Sequence, residues 1–184
     1  MKMTPKMKKF LRQYLVYGIF LLLLIIALGG MQKKVFSVFV ILGLIVIASL
    51  SKIYKQFTYI SFGFELVTPV VIIFAYKLGI VFTIISALFM VFASEFISGK
   101  MNMIAAVIQV VIYIILSLLG GLMSGLPFVS VAIFLVVLRN ILLFVGITWL
   151  GSLDIIRTIM STVPNILING FILVKIGNII LSLL

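Results

Sequence analysis

Residues 62–102 read F-G-F-E-L-V-T-P-V-V-I-I-F-A-Y-K-L-G-I-V-F-T-I-I-S-A-L-F-M-V-F-A-S-E-F-I-S-G-K-M-N, from Phe62 to Asn102. This is two apolar segments joined by a Tyr76-Lys77-Leu78-Gly79 turn, with a carboxylate near the start of the first, Glu65, and another near the end of the second, Glu95. Two of the three acidic residues of the chain lie here. An ionisable group inside a bilayer costs between about 2.5 and 17 kcal/mol, depending on how it is accommodated. Charges kept at that cost mark a polar interior in a chain that otherwise belongs in lipid.

Composition says the same of the whole. The 184 residues are 65% hydrophobic and 9% charged, with a mean hydropathy of +1.50. Soluble domains hold about 45–50% apolar and about 25% charged residues, so a soluble fold could not bury this much apolar surface. Cysteine and histidine are absent, which excludes disulfides, thiolate metal sites and the commonest general base. With three carboxylates in all and no nucleophile-elbow, P-loop or zincin pattern, no catalytic centre and no cofactor is expected. The formal charge is +11. In a soluble protein that would point to nucleic acid, but beside apolar spans Lys and Arg are topology signals and contacts to anionic lipid.

The expected fold is an all-α, polytopic transmembrane helix bundle of six to seven spans, with segments at 14–31, 35–51, 57–76, 79–97, 104–123, 128–150 and 160–184. Residues 1–56 form a basic N-terminus and a helical hairpin, and 57–184 the core. Lys2, Lys6, Lys8, Lys9 and Arg12 precede the first segment and place the N-terminus in the cytoplasm of a multi-pass cell-membrane protein. That first apolar run is too long for a typical signal peptide and reads as a retained anchor. Seven crossings then put Lys52, Lys55, Lys100 and Arg157 inside, and Lys33, Lys34 and Lys77 outside.

Thr68-Pro69 leaves two readings of the third segment. Either a helix starts there, with Glu65 at its positive N-terminal end, or one helix runs from Phe57 to Tyr76 with a kink at Pro69. Several polar positions stand out in and beside the apolar spans. Glu65 and Arg139 lie about 12 Å and about 16 Å of helix from the same side, close enough in depth for the guanidinium to reach the carboxylate, and pairing removes most of the cost of burying either. Asn165 and Asn169, four apart, share a helix face that would continue to Ile172 and Ile176. Such amides either join helices or line a cavity. Gln109 is the strong polar group of its span. Glu95 is near an end, solvated or paired with Lys100, Asp154 and Arg157 are spaced to pair on one turn, and Lys175 can snorkel outward. The 16 Phe and 6 Tyr read as lipid-facing or packing residues.

Ala75-Tyr76-Lys77-Leu78-Gly79 followed by Ser94-Glu95-Phe96-Ile97-Ser98-Gly99, with Pro164-Asn165 and Asn169 later, resembles the substrate-binding S components of energy-coupling factor (ECF) transporters. Those proteins read roughly G-P-x-x-G-x-x-x-G, then S-D-x-x-x-G, and open the last helix with P-N-x-x-x-N. The likeness covers about residues 57–184, with Ala75 and Thr83 standing where that family has glycine. It implies an S-component-like core that binds a vitamin-like small molecule through Glu65, Arg139, Asn165, Asn169 and Gln109. Its partners would be membrane lipids, a transmembrane coupling subunit and ATPases, with no nucleic acid. S components have six spans and an external loop where Ser98–Met103 stands here, whereas seven crossings put that loop inside. The same helix arrangement also resembles MreD, a non-catalytic membrane scaffold of the cell-shape machinery.

Overall fold

The computed structural model describes residues 33–56, 65–99, 103–149 and 155–184. The regular structure of these residues is all helical, with no strand among them: α1 (Lys33–Leu50), a 3-10 turn (Ile53–Gln56), α2 (Val67–Lys77), α3 (Ile80–Ile97), α4 (Met103–Leu122), α5 (Phe128–Trp149), α6 (Ile155–Ile172), a π turn (Leu173–Gly177) and α7 (Asn178–Leu183). Among them, α1, α3, α4, α5 and the continuous run Thr162–Leu183 make five helices long and apolar enough to cross a membrane. The expected segment 14–31 lies outside the described residues. So do Lys100, Asp154 and the side chain of Arg157. The chain forms two compact units, Met1–Gly43 and Leu44–Leu184. The first holds, among the described residues, only the start of α1. The helix bundle belongs to the second.

The third segment is where expectation and structure part. A helix over 57–76 would span; the described helix covers only Val67–Lys77, 11 residues, about 16 Å against a hydrocarbon thickness of about 30 Å. Of the two readings of Thr68-Pro69, the helix start is the one observed. Pro69 is the third helical residue, inside the first turn, where an N–H has no intrahelical acceptor to lose. The sequence of α2 is apolar on every side, and Val67 through Ala75 are all buried. An all-round apolar helix belongs at the centre of its neighbours, and α2 packs against α3, α4, α5 and α6.

After α2 the chain reverses at Gly79, whose φ of +92° suits a residue without a Cβ. Each later helix then returns antiparallel to the last. This gives the bundle two ends. One holds the turns Lys77–Gly79 and Ser124–Pro127, tied by Tyr76 donating to the Leu126 carbonyl at 2.7 Å. The other holds Leu50, Ile97, Met103 and Trp149, with Gln56 donating to the Ile97 carbonyl. At the first of these ends α4 closes tightly on α2, because a Cβ on Gly120 would lie 2.7 Å from that of Ala75.

The inward stripe of α6 is set by a local irregularity. It runs Asn165, Asn169, Leu173, Gly177, all buried, while Ile176, expected on that face, is 43% exposed. Steps of four residues overshoot a 3.6-residue turn by about 40° each. The wider π turn at Leu173–Gly177 takes that drift back, which keeps Leu173 inside and turns Ile176 out.

Candidate functional site

The N-terminus of α2, the end of α1, the end of α3 and the middles of α4 and α5 converge on one polar cluster. Glu65 stands two residues before α2, so its carboxylate sits between the helices. The chain there is held by the Leu66 N–H, which donates to Ser51 Oγ at 3.1 Å. Arg139, from α5, donates through Nη2 to Glu65 Oε2 at 2.6 Å. Tyr113, from α4, donates to Glu65 Oε1 at 2.9 Å, and its hydroxyl lies 3.0 Å from that of Thr68. The pairing expected from depth alone is therefore present, with two further residues around it.

Lys52 completes the cluster. Its ammonium lies 2.7 Å from Glu95 Oε1, 2.8 Å from Gln109 Oε1 and 3.3 Å from Glu65 Oε1. The first two contacts are hydrogen bonds and the third an ion-pair contact, and the side chain is 1% exposed. The charges alternate Glu95, Lys52, Glu65, Arg139 along one connected chain. Two anions face two cations, all of them buried, so the centre is formally neutral. Attraction between buried charges offsets their desolvation only with good geometry and further hydrogen bonds, and Tyr113, Gln109 and Asn140 supply those.

The structure corrects two expectations. Glu95 lies near the end of α3, as expected, but it is not solvated: it is 6% exposed and its ion-pair partner among the described residues is Lys52. Lys52, counted from the sequence among the cytoplasmic cations beside the spans, is instead buried within the bundle. The sequence carried a signal for it. Two carboxylates within apolar segments faced one interior cation, Arg139, and Lys52 is followed at once by Ile53-Tyr54 rather than by a polar loop. Tyr113 carried no such signal among so many aromatics.

Gln109 belongs to the cluster through Lys52. Asn165 and Asn169 form a second group on α6, where Asn169 Nδ2 donates to Asn165 Oδ1 at 3.0 Å. Asn169 is fully buried, and its own Oδ1 has no hydrogen-bond partner among the described residues. A cavity of about 220 Å³ opens between α5 and α6, walled by Val137, Asn140, Ile141, Phe144, Thr162 and Val163. Its lining is almost wholly apolar, since Asn140 spends its amide N–H on the Val136 carbonyl at 2.8 Å, so it suits a hydrocarbon group rather than a polar solute. Lys175 is exposed on the π turn, as a snorkelling residue would be. Comparison of the chain with protein-family models, with curated proteins and with solved structures finds no match.

Proposed function

We propose that the protein is a membrane-embedded solute-binding subunit of a nutrient importer, as the likeness to ECF S components implies, and that it is not an enzyme. One observation carries this reading: charged and amide side chains from five separate elements converge inside an otherwise apolar bundle, at the point where α2 begins part-way along it. Buried ionisable groups in such helices mark solute pathways more often than decoration. The binding groups are Glu65, Arg139 and Gln109, with Asn165 and Asn169 as a second group on α6 and Lys52 and Tyr113 added by the geometry.

The centre is formally neutral, so a solute with a net charge would leave a buried charge uncompensated. A solute that is uncharged, or that carries one group of each sign, exchanges its own hydrogen bonds for those of the cluster and keeps the balance. The chain carries no nucleotide-binding motif, so energy for uptake comes from a coupling subunit and ATPases. The experiment is purification in mild detergent followed by mass spectrometry of the extracted small molecules. A polar compound retained by the native chain and lost in Arg139→Met supports the reading; equal retention in both, or none in the native chain, defeats it.

A second reading is favoured by the closure of the network, in which each of the four charges already has a partner. A scaffold of the MreD kind needs only this, polar groups that join helices. Co-isolation separates the two: ATPases and a coupling subunit accompany an importer, cell-envelope proteins a scaffold.

A further inference from the structure

Buried polar side chains are unevenly distributed along the bundle. Glu95 and Lys52 lie at the Ile97 end. Gln109 is six residues into α4 from Met103, about 9 Å, and Tyr113 ten residues in, about 15 Å. Arg139 is ten residues from Trp149, again about 15 Å. Asn140 follows Arg139 and lines the cavity between α5 and α6, whose α6 wall includes Ile166, the neighbour of Asn165. From there to the Ser124 end the buried side chains change character: Val70 through Ala75 on α2, Leu116 on α4, Val131, Ala132 and Leu135 on α5, Leu173 after α6.

The buried polar side chains in that second half, among the described residues, are Asn169, one turn beyond Asn165 and bonded to it, and then Thr83, Ser86 and Ser117. Each hydroxyl donates to a carbonyl within four residues of itself: Gly79, Phe82 and Tyr113. These three hydroxyls offer nothing to a solute. Close packing adds to the seal, since glycine at 120 and 121 lets α4 rest directly against Ala75 and Ile80.

We infer that the polar centre is a blind half-path, entered by a hydrophilic solute only from the end of the bundle that holds Ile97 and Met103. The Lys52–Glu95 pair stands across its mouth, and the apolar half of α2 is its floor. A polar solute moving past Asn169 toward the Ser124 end would have to leave these hydrogen-bonding groups behind, at a cost that the route past Glu95 and Gln109 avoids. The ion pair at the mouth parts to admit the solute, while the Glu65–Arg139 pair below receives it.

The absence of native cysteine makes the test direct. Single cysteines are placed at Gln109 in the path, at Ile72 in the floor, and at Gln56 and Ser124 as markers of the two ends. A small, charged, membrane-impermeant thiol reagent is then applied to sealed vesicles from either side. The expected result is that Gln109→Cys reacts from the side that labels Gln56→Cys, and that Ile72→Cys reacts from neither. Adding Glu95→Gln weakens the pair at the mouth and raises the Gln109→Cys reaction rate severalfold. Reaction of Gln109→Cys from the Ser124 side, or from neither side, overturns the inference, as does reaction of Ile72→Cys from the Ser124 side. Thr68→Cys, nearly isosteric and deeper, carries the same test if Gln109→Cys is not recovered folded. The inference rests on the solute-binding reading, but the readouts differ: a missing co-purified compound defeats that reading, whereas labelling from the wrong end defeats the route alone.

Discussion

Lys52 and Glu95 are 43 positions apart in the chain and meet at 2.7 Å, both buried. Their contact ties the end of α1 to the end of α3 and brings Gln109 of α4 to the same ammonium. One side chain thus fastens three elements. Removing one partner of a buried pair costs about 3–5 kcal/mol, because the other charge is stranded. Lys52→Met leaves Glu95 without its cation, so its loss should fall in that range. Glu95→Gln leaves Lys52 with Glu65 and Gln109, so a loss of about 1–3 kcal/mol is expected. Unfolding of both variants in detergent checks the order; a Glu95→Gln loss as large as that of Lys52→Met would contradict it.

Close packing predicts a contrast among glycines. A Cβ at Gly120 would meet Ala75 at 2.7 Å, while one at Gly170 meets nothing within 4 Å. Gly120→Ala should destabilise by about 1–3 kcal/mol through overpacking. Gly170→Ala, in a helix with open space beside it, should be neutral or stabilise by up to about 1 kcal/mol. Melting temperatures of the two variants in the same detergent would show opposite signs.

Much of this architecture was legible in the sequence, for an identifiable reason. Apolar runs of 18 or more residues have few alternatives to a membrane helix, and the observed α1, α3, α4 and α5 fall within one or two residues of the expected segments. Charges deep in such runs need partners, so Glu65 and Arg139 found each other on depth alone. Hidden from the sequence was anything decided by tertiary contact. Whether Lys52 bends inward or outward depends on Glu95 and Gln109, 43 and 57 positions away. The length of α2 depended on which use of Pro69 its neighbours supported, and the register of α6 on a π turn that leaves no compositional mark.

Asn169 separates binding from packing. Its buried Oδ1 has no hydrogen-bond partner among the described residues, so replacing it by an apolar residue of similar size removes one bond, to Asn165, together with an unsatisfied acceptor. Asn169→Leu should therefore change stability by less than about 1.5 kcal/mol. If the oxygen serves a solute, the same variant should lose most of the co-purified compound, measured by mass spectrometry against the native chain. Retention unchanged in a stable Asn169→Leu protein would remove this residue from the site.

The charge pattern predicts a cytoplasmic N-terminus. Five cations precede the first apolar segment, and basic residues beside early spans stay in the cytoplasm. Cysteines introduced at Lys6 and Lys9 should resist an impermeant thiol reagent in intact cells and react after permeabilisation. Reaction in intact cells would reverse the assignment. Combined with the markers at Gln56 and Ser124, this also tells which side of the cell the polar mouth faces.

The Glu65–Arg139 pair makes the sharpest energetic prediction, because its two halves are not equivalent. Without Arg139, Glu65 still has Lys52 at 3.3 Å and the Tyr113 hydroxyl at 2.9 Å, and a stranded carboxylate can take up a proton and become neutral. Without the Glu65 charge, Arg139 keeps a long contact to the Asn140 side-chain oxygen at 3.4 Å, and a guanidinium cannot shed its proton. Glu65→Gln should therefore destabilise more than Arg139→Met, by about 1–2 kcal/mol within the 3–5 kcal/mol typical of broken buried pairs. The double variant restores formal neutrality, with Lys52 and Glu95 still paired, so its loss should be smaller than the sum of the two. For residues in one network such a difference is typically about 0.5–3 kcal/mol. Denaturant or thermal unfolding of the three proteins in one detergent measures all of these at once. Additive losses would mean that the two side chains act independently, and a larger loss for Arg139→Met would mean that Lys52 does not take up the carboxylate its neighbour leaves.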